Sequence, residues 1–75
     1  MMLSSRQYAL LRHADRKGRV GVSSRNHIPG MEECSAFAAR SYLGQLQRMG
    51  LLRPEGPEEW TITERGKAML REAGQ

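Results

Sequence analysis

Apolar positions recur along the chain with the period of a helix in three places and with the shorter period of a strand in three others. Gln7, Leu10, Leu11 and Ala14 fall at i, i+3, i+4 and i+7, which puts one stripe toward a core and leaves Arg6, His13, Arg16 and Lys17 on the wet side. Ser4 stands where an N-cap belongs, with Gln7 three residues on to close a capping box, and Leu3 and Tyr8 occupy the positions of a hydrophobic staple. Gly18 is the expected stop. Arg19–Ser23 then reads as a short strand whose two valines share a face, suited to joining a small sheet. Residues 23–30 have room for a turn or two of helix before Pro29 and Gly30 interrupt them.

From Glu32 to Met49 the helical period returns. At 100° per residue Ala36, Ala39, Tyr42, Leu43, Leu46 and Met49 share one arc, and Phe37, Ser41, Gly44 and Arg48 the opposite one. Gly50 ends the helix, with Glu32 and Glu33 at its start, where they suit the dipole. Leu51–Arg53 and Trp60–Ile62 are β-prone runs on either side of a turn-rich loop from Pro54 to Glu59, so this stretch predicts a hairpin. Thr63 caps a last helix with Gly66, Met69, Leu70 and Ala73 inward. The class is α+β, mainly α: three to four helices with a small antiparallel sheet, expected to form a single domain over residues 1–75.

Composition narrows the functional classes. Seventy-five residues exclude a multidomain enzyme with separate substrate and cofactor lobes. One cysteine, Cys34, makes no internal disulfide and suits a reducing, cytoplasmic setting; it is either an inert buried thiol or a redox switch. No apolar run approaches the roughly 20 residues of a spanning helix, so no membrane partner is expected. His13 and His27 are isolated, no ligand spacing suggests zinc, and no nucleophile, base or phosphate loop recurs in pattern, so no metal, cofactor or catalytic residue is assigned.

The net charge of +4 points to a polyanion. Its distribution is uneven. Arg6, Arg12, Arg16, Lys17, Arg19 and Arg25 against Asp15 give residues 1–31 a net +5. The long helix balances Arg40 and Arg48 against Glu32 and Glu33, and the hairpin sets Arg53 against Glu55, Glu58 and Glu59.

The element order, and the run Leu43-Gly44-Gln45-Leu46-Gln47-Arg48-Met49-Gly50-Leu51-Leu52 followed by Gly56, Trp60-Thr61-Ile62-Thr63 and Gly66, resemble the winged helix-turn-helix of MarR- and PadR-type transcriptional regulators. The resemblance covers residues 39–70 closely and the first helix and strand by position. It implies binding to double-stranded DNA, with the 32–49 helix in the major groove and the hairpin as a wing. Carried onto this chain, it implies a reading face of Ser41, Gln45 and Arg48 flanked by Arg40, with Arg53 from the wing. The basic cluster Arg16, Lys17, Arg19 and Arg25 adds either backbone contacts or a solvated helix end. The chain departs from the pattern at Pro29-Gly30, at Glu32 and Glu33, and at the acidic wing tip. A protein-interaction module, as an adaptor, a homodimer or a small inhibitor carried by a phage or other mobile element, is therefore the alternative. Its surface would be Phe37, Ser41 and Gly44, or the acidic wing, although Phe37 is first expected to cover the core through residues 23–31.

Overall fold

The computed structural model describes residues 2–73; residues 1, 74 and 75, part of the expected 1–75 domain, lie outside the described residues. Helix α1 spans Ser5–Lys17. The expected capping box is present: Ser4 Oγ accepts from the Gln7 amide at 3.2 Å, and Gln7 Oε1 accepts from the Ser4 amide at 2.8 Å. Such a cap contributes about 1 kcal/mol to a helix. Gly18 closes α1 at φ 88°, a left-handed conformation that glycine adopts without a Cβ penalty.

Strand β1 is only Val20–Gly21, shorter than the Arg19–Ser23 run in the sequence. A 3-10 helix, Val22–His27, begins at once, because Ser24 Oγ accepts from the Gly21 amide at 2.9 Å and draws the backbone into a turn. Val20 and Val22 are both buried, one in the sheet and one in this helix. The expectation of a turn or two of helix before Pro29 holds.

Helix α2 is Ala36–Arg48, four residues shorter at its start than the Glu32 boundary in the sequence. Ser35 is its N-cap, accepting from the Ala38 amide at 3.0 Å. Glu32 and Glu33 therefore precede the helix, and Glu32 Oε1 instead accepts from the Gly30 amide at 2.9 Å. The residues ahead of Ser35 are held in turns instead. Ile28, Met31 and Cys34 sit three residues apart in successive turns, with Met31 N bonded to Ile28 O and Cys34 N to Met31 O, and all three are buried. That spacing is indistinguishable in sequence from a helical stripe.

Strands β2, Leu52–Gly56, and β3, Glu59–Ile62, form the hairpin. They extend into what the sequence marks as loop, leaving Pro57 and Glu58 as the turn. A register irregularity between Pro54 and Gly56 accommodates the proline, which has no amide to give a ladder and lies on an edge strand. The antiparallel sheet has the order β1-β3-β2, with Val20 opposite Trp60 and Leu52 opposite Ile62. A Cβ on Gly21 would meet the Glu58 carbonyl oxygen, so glycine is what lets β1 close on the hairpin.

Helix α3, Glu64–Ala73, starts at Thr63, whose Oγ1 accepts from the Gly66 amide at 3.0 Å and donates to the Gly50 carbonyl at 2.7 Å. Gly66 is buried and Met69 and Leu70 pack on the core, but Ala73 is exposed rather than inward. The core gathers Leu10, Leu11 and Ala14 of α1, Ala39, Leu43 and Leu46 of α2, and Leu51, Leu52 and Trp60 of the hairpin region. The indole Nε1 of Trp60 donates to Gln47 Oε1 at 2.9 Å, so the largest apolar side chain is buried with its one polar atom satisfied. His13 departs from expectation: it is 7% exposed, not on the wet face of α1. Among the described residues no helix is long and apolar enough to cross a membrane.

Candidate nucleic-acid interface

The capped α2 presents Ser41 and Arg48 to solvent along the face opposite Ala39, Leu43 and Leu46. The Arg48 guanidinium lies back toward Gly44, about 3.7 Å from where a Cβ on that glycine would stand. Gln45, expected on the same face, is not there. It is half-buried, and its Oε1 accepts from Gln7 Nε2 at 2.8 Å, which turns it toward α1.

Arg40 carries the face to the hairpin. Its Nη2 donates to Glu58 Oε2 at 2.7 Å, linking α2 to the turn between β2 and β3. The adjacent Glu59 accepts from Arg19 at 2.9 Å, linking the hairpin to the residue before β1. The two cationic groups foreseen in the sequence, one on the long helix and one around the end of the first helix, are therefore separated by two adjacent carboxylates that engage an arginine from each. Arg53 is also occupied. Its Nε donates to Glu55 Oε2 at 3.2 Å, and the same oxygen accepts from Thr61 Oγ1 at 3.0 Å. Each of these pairs is about half exposed, where an ion pair contributes about 0–1 kcal/mol and yields readily to a competing anion.

Arg25 is half-buried and donates to the Val22 carbonyl at 2.9 Å, a brace on the 3-10 helix rather than an open contact. Arg16, Lys17 and Arg48 make no ion pair among the described residues. Arg16 and Lys17 line a groove with His13 and His27. Of the residues assigned from the sequence, Arg40, Ser41 and Arg48 share the exposed side of α2, Arg16, Lys17 and Arg19 lie at and just beyond the end of α1, and Gln45 and Arg25 serve internal contacts.

Sequence reasoning missed two functional neighbours. Glu58, set in the sequence against Arg53 with the other hairpin carboxylates, is the direct partner of Arg40, a contact across 18 residues that no local pattern encodes. His13, expected on the wet side of α1, is buried at the wall of the groove it shares with His27. Phe37 is 80% exposed and does not cover the core. Comparison with protein-family models, curated proteins and solved structures finds no match to this chain.

Proposed function

We propose that this chain is a small winged-helix protein that binds double-stranded DNA and acts as a cytoplasmic transcriptional regulator. The observation that carries the reading is the placement of the exposed Arg40, Ser41 and Arg48 face of α2 directly beside the hairpin turn. A helix and a hairpin side by side suit a groove and its flanking backbone. Arg48 is the residue for a base edge or phosphate, Ser41 for a phosphate or base hydrogen bond, and Arg40 for phosphate once released from Glu58. Arg16 and Lys17 extend the contact along the backbone. The test is fluorescence anisotropy of labelled duplexes at low salt, with salt titration. Binding whose logarithm falls linearly with the logarithm of salt supports the reading, and the absence of binding to any duplex at low salt refutes it.

One observation favours a second reading. Phe37 stands 80% exposed on the same helix, and a lone large aromatic beside small residues suits a protein partner or a second copy. Sedimentation across concentrations separates the two readings: a strict monomer that binds duplex leaves the first standing.

A further inference from the structure

The end of α1 and the end of the 3-10 helix enclose a groove of about 460 Å³ lined by His13, Arg16, Lys17 and His27. All four side chains are basic. Two carry guanidinium or ammonium groups and two are imidazoles. Around the hairpin the fold matches three exposed arginines, Arg19, Arg40 and Arg53, with carboxylates. Here it does not.

The second observation is His13 itself. The ring is more than nine-tenths buried at the wall of this groove, and its Nδ1 has no hydrogen-bond partner. A buried polar atom left without a partner costs about 1–3 kcal/mol. Cations at the last turn of a helix are common and need no ligand, because they complement the dipole. That explanation covers Arg16 and Lys17 but not a buried, unpartnered imidazole between them and His27.

We propose that this groove is a binding site for a phosphate-type oxyanion, clasped by Arg16, Lys17 and His27 with the protonated form of His13 behind them. Arginine and lysine supply the permanent charge and several donors, and a tetrahedral oxyanion has oxygens enough for all of them. The negative end of the α1 dipole opposes the anion, but by only about half a unit charge against two full cations. Burial first, then Arg16 and Lys17 on its own helix and His27 across the groove, hold His13 below its ordinary proton affinity. None of the charges acting on it is a carboxylate. An anion in the groove reverses that balance, so proton uptake and anion binding are coupled. The chemistry is the same whether the phosphate belongs to a nucleic-acid backbone or to a small phosphorylated molecule, and the site does not depend on the duplex reading.

The experiment is an NMR titration of the His13 and His27 ring protons in sodium sulfate and in sodium chloride at matched ionic strength. Sulfate keeps its double charge throughout the histidine range, so it is the probe. The proposal expects sulfate to move the His13 midpoint upward by about half a pH unit or more. The exposed changes Arg16→Gln with Lys17→Gln should abolish that movement, and His27→Gln should reduce it. Midpoints that coincide in the two salts overturn the site, as does a sulfate effect undiminished in the Arg16→Gln, Lys17→Gln protein. A second arm identifies the source of the phosphate: if duplex affinity loses about two units of salt slope in that double variant, the backbone occupies the groove. If duplex binding is unchanged while the sulfate effect is present in the parent, the site serves a small phosphorylated ligand. Failure of the sulfate arm alone leaves the duplex reading untouched, and failure of duplex binding alone leaves the anion site standing.

Discussion

Glu58→Gln should tighten duplex binding, and the geometry sets the size of the gain. In the free protein Arg40 is held at 2.7 Å by Glu58, with both side chains about half exposed, so a phosphate must displace a carboxylate worth about 0–1 kcal/mol to the arginine. Removing the competitor should therefore strengthen binding by up to about fivefold, the factor that about 1 kcal/mol represents. The folded stability should stay within about 0.5 kcal/mol, because the pair is on the surface. A double-mutant cycle with Arg40→Ala isolates the cause. In the Arg40→Ala background Glu58→Gln should gain less than about twofold, since only the loss of a distant negative charge remains. Anisotropy across a salt series measures all four proteins. An equal gain in both backgrounds would show that the carboxylate acts through the general field and not on Arg40, and no gain at all would remove Arg40 from the interface.

Three other outcomes are expected. Gly66→Ala should lower stability by about 1–2 kcal/mol in urea unfolding: a Cβ there meets the Leu51 carbonyl oxygen and the Ile62 side chain, and that overpacking exceeds the roughly 1 kcal/mol alanine gains as a helix former. The carbonyl cannot give way easily, since it accepts the Thr63 amide at 3.1 Å, so an unchanged midpoint would mean that α3 docks more loosely than described. Stability should also depend on His13. Its folded proton affinity is lowered, so the unfolded chain binds more protons, the contribution is whole above about pH 6.5, and it fades as pH falls from there toward the lowered folded value. Urea midpoints between pH 7.5 and 5.5 should fall more steeply in the parent than in His13→Gln, and equal slopes would refute the assignment. Phe37→Ser should leave the unfolding free energy within about 0.5 kcal/mol, because the ring is already in water; a loss above 1 kcal/mol would place it in the core.

Much of the local architecture was legible in the residues because local chemistry decides it. The Ser4–Gln7 capping box, the Gly18 and Gly50 stops, the Ala39–Leu43–Leu46 stripe and the Thr63 cap all depend on partners within a few positions. What was misread depends on distance or coincidence. The helix expected from Glu32 begins only at Ala36, because Ser35 caps it and Met31 and Cys34 close turns ahead of it, and the hairpin ladder includes Pro54 because β3 supplies the pairing. The candidate site was legible in part. Ser41 and Arg48 lie on the outward arc the wheel gave them, but Gln45 was lost to Gln7, 38 residues away, and the Glu58 and Glu59 pairs cross the fold. Segment charges located the cations without showing which of them the hairpin occupies.

The sheet's two borders limit how this protein meets other proteins. On one side Pro54 offers no amide and the Pro54–Gly56 irregularity breaks the ladder. On the other, β1 ends after two residues in a 3-10 helix, leaving too little extended backbone to seat a visitor. Neither margin can template an incoming strand, so β-augmentation and edge-to-edge polymerisation are closed to it. Any association must be read out by side chains on helices and turns, where one substitution tests it at a time.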